Sequence, residues 1–187
     1  MGFWLFLFTE VFLFGMLFLA YSIYLPKYRV EFRACSEHLD KAMGGTNTAI
    51  LLTSSLTMAL AIAVLQRGKK GGSLLLMLTT VLCAAGFCTV KAFEWSAKFS
   101  HGIYPTSPVM DRLQPGEQIF YGLYFVMTGF HAFHVIVGAL LILVVMGFVA
   151  AGKVHKDRIG LIENIGLFWH LVDVVWIFLF PLFYLIG

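Results

Sequence analysis

Hydrophobic and polar positions alternate along this chain in long blocks. Five apolar runs are each long enough to cross a bilayer core of about 30 Å, and short polar stretches separate them. The pattern predicts an all-α, polytopic membrane bundle with one membrane domain over residues 1–187. The five predicted transmembrane helices lie at about residues 2–25, 44–66, 73–99, 117–150 and 159–186.

The polar stretches between the apolar runs predict different connections. Residues 26–43 predict a charged amphipathic loop with room for a short interfacial helix. Residues 67–72 and 151–158 predict tight turns. Residues 101–116 hold three of the five prolines, which predicts irregular structure. Pro181 falls late in the last helix and predicts a kink there.

Composition excludes a soluble globular domain. Charged residues make up 12% of the chain and hydrophobic residues 60%, whereas soluble domains carry about 25% charged residues. The three cysteines do not have the number or spacing of a disulfide scaffold or a zinc site. Cys35 is expected in the first polar loop. The first apolar run lacks a basic start and contains Glu10, which favours a true membrane span over a cleavable signal.

Basic residues in the short turns predict the orientation in the membrane. Two turns that should lie on the same side carry the positive charges, and that side is expected to be cytoplasmic. This places the N-terminus in the cytoplasm and the C-terminus outside. The residues are Arg67, Lys69 and Lys70 after the second helix and Lys153, Lys156 and Arg158 after the fourth.

Glu10 is an ionisable side chain about eight residues into the first predicted helix. At 1.5 Å per residue it lies about 12 Å into the span. Ionisable groups at that depth usually face protein or a water-filled cavity. The residue pattern leaves two interpretations open. Glu10 is either a protonatable, lipid-binding or helix-anchoring group, or a protonated carboxyl that is hydrogen-bonded to a neighbouring helix.

Four polar side chains on the last two helices form two pairs. His131 and His134 are three residues apart and share a helix face, and so do His170 and Asp173. If these faces meet, the four residues form one polar network between helices. A metal or haem site is the sharper interpretation, but the chain lacks the Glu-x-x-His pairs of di-iron bundles. Interhelical hydrogen bonding is therefore favoured.

A charged group closes the third predicted helix. Glu94 follows Lys91 by three residues and precedes Lys98 by four, so all three share one helix face. This spacing predicts an ion-paired cluster at the membrane interface. A partner contact or a role in proton exchange at the surface is the alternative.

Five segments resemble the subunit III family of haem–copper oxidases, in chain order and over essentially the whole length. The last two are the most specific, because they match a Thr-Gly-Phe-His-x-x-His-Val pattern and a Trp-His-x-Val-Asp-Val-Val-Trp pattern. The segments are FTEVFLFGMLFLAYSIY (8–24), NTAILLTSSLTMALA (47–61), KAFEWSAKFSHGIYP (91–105), FYGLYFVMTGFHAFHVIVG (120–138) and WHLVDVVWIFLFPLFYL (169–185).

The resemblance implies a non-catalytic subunit of a respiratory terminal oxidase in the bacterial cytoplasmic membrane. Such a subunit lies against subunits I and II of a cytochrome c or quinol oxidase, which couples oxygen reduction to proton pumping. It supports the stability of subunit I and its proton uptake, and it holds structural phospholipid. No active site, haem or copper is expected in this chain, because the partner subunits carry those groups. No nucleic-acid partner is expected.

The same resemblance implies roles for particular residues. Glu10 corresponds to the family's buried carboxylate near bound lipid. Glu94 corresponds to its helix-end glutamate, and Glu163 to an equivalent acid before the last helix. The family's polar network between helices corresponds to His131, His134, His170 and Asp173.

Two alternative functions stay open at the level of sequence. One is the subunit III-like accessory protein of a nitric oxide reductase. The other is an autonomous membrane haem or metal protein that uses the histidines. Many relatives carry two more helices before the glutamate-bearing one, so the chain is expected to be a short, five-helix form.

Overall fold

The computed structural model of this chain describes residues 2–100, 102–104, 107–155 and 158–186. Within these ranges all regular structure is helical. The elements are α1 (Gly2–Tyr24), α2 (Arg29–Glu37), α3 (Lys41–Gln66), α4 (Lys70–Ser100), a 3-10 turn (Met110–Arg112), α5 (Pro115–Ala150), α6 (Gly160–Phe180) and a π-helical turn (Pro181–Leu185).

Five of these helices are long and apolar enough to cross a membrane: α1, α3, α4, α5, and α6 together with the π-helical turn. This confirms the five predicted spans, and the protein is a multi-pass membrane protein. Pro181 is the first residue of the π-helical turn. The kink predicted there stays a prediction. The predicted loop 101–116 is described only in part, and residues 156 and 157 of the predicted turn 151–158 lie outside the described residues.

Three helices, α3, α4 and α5, begin two to three residues before the predicted positions. Polar side chains cap the starts of α3 and α5. The Asp40 carboxylate accepts the backbone N–H groups of Ala42 and Met43 at 2.9 and 3.1 Å, which starts α3 at Lys41. At the start of α5, the Glu117 carboxylate accepts the backbone N–H of Gln114 at 3.0 Å, in the manner of a capping box.

The start of α4 depends on a glycine. Gly68 has a φ of 76°, in the left-handed region that a side chain disfavours. This conformation turns the chain within a few residues, so α4 begins at Lys70.

The predicted interfacial helix is α2. Its buried face consists of Phe32, Cys35 and Ser36, while Arg33 and Glu37 form an exposed ion pair on the same helix at 3.6 Å. Cys35 was expected in a polar loop, and that expectation was wrong. The thiol is buried because α2 turns its apolar stripe inward.

Contacts divide the chain into two compact units. The first consists of Met1–Thr46, Val90–His131 and Val175–Gly187, and the second of Asn47–Thr89 and Ala132–Val174. The single membrane domain stays a prediction.

An aromatic core fills the first unit. Phe120 packs edge to face against Phe32 and Phe183, with ring centroids 5.3 and 5.5 Å apart. Tyr21 and Tyr124 extend this core with further edge-to-face contacts to Phe183. All five rings are almost fully buried. These rings hold together the end of α1, α2, α5 and the π-helical turn.

Small residues allow close helix packing in the second unit. A Cβ atom on Gly138 would lie 2.8 Å from the Trp169 ring, and one on Gly166 would lie 2.6 Å from Ile62. The Trp169 ring nitrogen donates a hydrogen bond to Ser54 at 3.1 Å. These contacts fix α6 against α3 and α5 inside this unit.

Candidate functional site

A buried ion pair lies at the centre of the first unit. Lys91 and Glu94, one helical turn apart on α4, are each 3% exposed. The Lys91 ammonium donates to the Glu94 carboxylate at 3.0 Å and to the hydroxyls of Tyr184 and Tyr124 at 2.9 and 3.2 Å. Both tyrosines in turn donate to the other carboxylate oxygen of Glu94. Every polar atom of the pair therefore has a partner.

Aromatic rings surround the same ammonium. The Lys91 nitrogen lies 5.0, 5.1 and 5.5 Å from the ring centroids of Tyr124, Trp176 and Tyr184. Such distances allow cation–π attraction, which is stronger where water is excluded. We call Lys91, Glu94, Tyr124, Tyr184 and Trp176 the lysine cluster. It connects α4, α5, α6 and the π-helical turn.

The lysine cluster differs from the interfacial group predicted from the spacing of Lys91, Glu94 and Lys98. The ion pair is present, but it is buried, because Tyr124 of α5 and Tyr184 of the π-helical turn cover the pair. Lys98 is half-buried and donates instead to the backbone carbonyl of His38 at 2.9 Å.

Sequence reasoning missed both tyrosines of the cluster. In an apolar helix a single tyrosine looks like any other membrane-facing aromatic residue. The π-helical turn that carries Tyr184 also changes the helix register. The only available signal was the presence of an unusual lysine–glutamate pair, which requires buried partners somewhere.

The four residues of the predicted polar network belong to different units. His131, in the first unit, is fully buried, and its ring lies 5.0 Å from that of Trp176. His134, His170 and Asp173 belong to the second unit. His134 is 7% exposed and packs against the rings of Phe133 and Phe168. A role for all four as one network stays a prediction.

His170 and Asp173 do share a partner. The Ser55 hydroxyl is hydrogen-bonded to His170 Nδ1 at 2.7 Å, and it also lies beside the Asp173 carboxyl. Asp173 is 3% exposed, so Ser55 links two polar side chains of α6 that lie one helical turn apart.

The remaining predicted residues are Glu10 and Glu163. Glu10 is half-buried on α1, in the first unit. Glu163 lies in the first turn of α6 and accepts a hydrogen bond from the Gln66 side chain at 3.3 Å. In the described residues, no three His, Cys, Asp or Glu side chains could together hold a metal ion. The expectation that this chain binds no cofactor stays a prediction.

Comparisons with known proteins give one consistent family. The sequence model for cytochrome c oxidase subunit III matches residues 1–187. The chain is 29% identical over 186 residues to cytochrome bo(3) ubiquinol oxidase subunit 3 of Pseudomonas aeruginosa, which covers 100% of this chain and 84% of that protein. It is 29% identical over 187 residues to the probable quinol oxidase subunit 3 of Staphylococcus saprophyticus, with 100% and 88% covered.

A third relative combines two subunits in its name. The heme-copper oxidase subunit I+III of Aeropyrum pernix is 29% identical over 195 residues, which cover 98% of this chain and 22% of that longer protein. None of the three names supports the alternative of a nitric oxide reductase accessory protein. Because the family's sequence model covers the whole chain, this protein belongs to the cytochrome c oxidase subunit III family.

Proposed function

We propose that this chain is the non-catalytic subunit III of a quinol-oxidising haem–copper oxidase in a bacterial cytoplasmic membrane. The observation that carries the proposal is the match, over all or nearly all of the chain, to relatives named as quinol oxidase subunit 3. Haem and copper belong to the partner subunits in this proposal. This chain stabilises the complex, supports proton uptake and contacts lipid in this proposal.

Subunit I is the proposed principal partner, with subunit II in the same complex. The relative named subunit I+III supports this choice, because one polypeptide there carries both names. The surface of this chain also requires apolar surroundings. Only 11% of the residues in the apolar window of α1 are buried, and large side chains such as Trp4, Phe8 and Met16 are more than half exposed. Lipid and partner helices would cover them.

The proposed contribution of this chain is to sustain turnover of subunit I. Glu10 is the proposed proton- or lipid-related group, because its carboxyl group lies on the mostly apolar α1. The polar residues of α5 and α6 are proposed to hold the helices in register: His131, His134, His170 and Asp173. The lysine cluster has the same proposed role for the helices of the first unit.

The proposed orientation places the N-terminus in the cytoplasm and the C-terminus outside. The connection between α3 and α4 carries Arg67 and Lys69, and Lys70 opens α4. The connection between α5 and α6 carries Lys153 and Arg158. Short loops with excess basic residues stay in the cytoplasm, which supports this orientation.

Purified oxidase with and without this chain tests the proposed role. Removal of the chain should leave the initial rate of quinol-dependent oxygen consumption nearly unchanged, because the redox centres lie elsewhere. Sustained turnover should shorten and proton uptake should slow. If oxidase without this chain consumed oxygen for as long as the intact complex and took up protons equally fast, the result would contradict the role.

A further inference from the structure

The connections that follow α3 and α5 in the second unit begin with the same helix-ending motif. Gly68 and Gly152 have φ values of 76° and 73°. Each glycine N–H donates to a carbonyl three residues back, at 2.8 and 3.0 Å, and the next N–H donates to a carbonyl five residues back, at 3.1 and 2.9 Å. This is the Schellman motif. The Lys70 ammonium donates to the backbone carbonyl of Ala150 at 2.6 Å, which joins the two turns into one surface.

A cavity of about 350 Å³ is lined by both turns. Gly68 and Gly152 belong to its lining, and a Cβ atom at either position would meet no atom from another described part of the chain within 4 Å. The apolar side chains of Leu65, Val149 and Val154 also line it, and they are at most 6% exposed. The cavity is therefore open above the glycine backbones and apolar on its inner side.

Positive charge surrounds this cavity. Residues 67–72 and 151–158 contain six lysines and arginines and one acidic residue. Four of these cations have exposed side chains in the turns and belong to neither of the two ion pairs in the described part of the chain. Their charges are therefore available to an anionic partner. These four residues are Arg67, Lys69, Lys153 and Arg158.

Membrane orientation accounts for basic turns but not for the cavity. Charge alone orients a chain, and it requires neither an apolar recess nor a bond between the two turns. The recess also lies at the helix ends, since Gly152 and Val154 come after the last residue of α5. An acyl chain would have to leave the hydrocarbon region to fill it. A peptide that enters from the aqueous side can supply both an apolar side chain and carboxylates.

We propose that this surface docks an acidic peptide segment of a partner protein. One apolar side chain of the segment fills the cavity, and its carboxylates lie beside Arg67, Lys69 and Lys153. Protein interfaces commonly combine an apolar anchor in a pocket with a polar rim. Complementary charge then guides the encounter and fixes the register of the segment. The inference goes beyond the proposed subunit role, because it assigns a second contact surface at the ends of α3 and α5.

Binding of a synthetic peptide to the full-length chain in dodecyl maltoside micelles tests the proposal. The probe is a fluorescent aspartate–aspartate–leucine–glutamate–glutamate peptide with blocked ends, and fluorescence anisotropy measures its dissociation constant. Wild-type protein should bind it. A peptide with serine in place of leucine should bind at least about tenfold more weakly, because no apolar side chain is then buried. Equal binding of the two peptides would show that the cavity holds no anchor and would overturn the proposal.

The double substitution Arg67→Gln/Lys69→Gln should weaken binding of the leucine peptide about five- to tenfold, since it removes two exposed charge pairs. The matched control is Lys27→Gln/Lys41→Gln, which removes the same charge from exposed residues that do not line the cavity. An equal loss in this control would show general attraction of the peptide to a basic protein and would overturn the proposal. If the arginine variant fails to fold, the comparison of the two peptides on wild-type protein decides.

A lipid probe separates a peptide partner from the membrane surface. The same titration is repeated in nanodiscs of phosphatidylcholine, with and without phosphatidylglycerol. Retained binding of the leucine peptide in both supports the proposal, whereas complete loss with phosphatidylglycerol would assign the cations to lipid and overturn it. Because the assay needs no oxidase, a negative result would leave the proposed subunit III role untouched. Conversely, unchanged turnover of an oxidase that lacks this chain would leave the peptide site standing.

Discussion

The buried ion pair of the lysine cluster gives the sharpest test of the fold. In Glu94→Gln the side chain keeps its shape and loses its charge, while the Lys91 ammonium stays buried. In the wild-type protein, the Glu94 carboxylate accepts hydrogen bonds from Lys91 and from two tyrosines. Breaking a buried pair from one side typically costs 3–5 kcal/mol, because a buried charge loses its compensation. We expect Glu94→Gln to lower the free energy of unfolding by about 3–5 kcal/mol.

A double-mutant cycle measures the interaction free energy between Lys91 and Glu94 apart from their contacts with other residues. Lys91→Met/Glu94→Gln removes both charges, and its cost should fall below the sum of the two single substitutions by about 2–3 kcal/mol. Lys98→Met is the control on the same helix, since Lys98 is half-buried and makes a single hydrogen bond to a backbone carbonyl. Its expected cost is about 1 kcal/mol.

The assay is unfolding of the full chain in dodecyl maltoside micelles by added dodecyl sulfate. Tryptophan fluorescence reports the transition, because Trp176 is fully buried in the lysine cluster. A Glu94→Gln cost no larger than that of Lys98→Met would show that the Lys91–Glu94 pair does not stabilise the fold. So would a double variant whose cost equals the sum of the singles, since the charges would then act independently.

Three further predictions concern packing, reactivity and function. Gly44→Ala should lower the free energy of unfolding by about 1–3 kcal/mol in the same assay, because its Cβ would lie 2.8 Å from the Phe180 ring. The control Gly45→Ala should cost nothing, because no described atom lies within 4 Å of its Cβ position. Equal costs would contradict the close approach at Gly44. Burial, followed by the charge of a nearby glutamate, raises the pKa of the Cys35 thiol from 9.0 to about 11. The test uses a variant in which the other cysteines are replaced by serine. Because the thiolate is the reactive form, maleimide labelling of Cys35 at pH 8 should be about a hundredfold slower than that of a free thiol and should accelerate up to pH 11. A free-thiol rate at pH 8 would show that Cys35 is exposed. Glu10→Gln should leave assembly intact and shorten sustained turnover or slow proton uptake, measured as oxygen consumption and pH change, and unchanged kinetics would leave Glu10 a packing residue.

Hydropathy alone predicted the five spans, because lipid permits few other arrangements of such long apolar runs. Helix starts were less accurate, since they depend on single side chains. The carboxylate of Asp40 adds three residues to α3, and no hydropathy window contains that information. Likewise, the interfacial helix was foreseen from its amphipathic pattern, but the burial of Cys35 depends on which way α2 faces.

The candidate sites were predicted only as far as local spacing reaches. The Lys91–Glu94 pair follows from a spacing of three residues on one helix. Its two tyrosine partners, in contrast, are separated from Lys91 by 33 and 93 positions in the sequence. The relation between His170 and Ser55 is equally remote, at 115 residues. Such pairings depend on how helices pack, and a single sequence carries no periodic signal for them.

Purification of the tagged chain from membranes is the most direct test of its identity as an oxidase subunit III. We expect that a subunit I polypeptide copurifies, that the complex shows haem absorption and reduces oxygen with quinol, and that the chain separated from its partner shows no Soret band. A Soret band in the isolated chain, or copurification with a partner that reduces nitric oxide instead of oxygen, would contradict it.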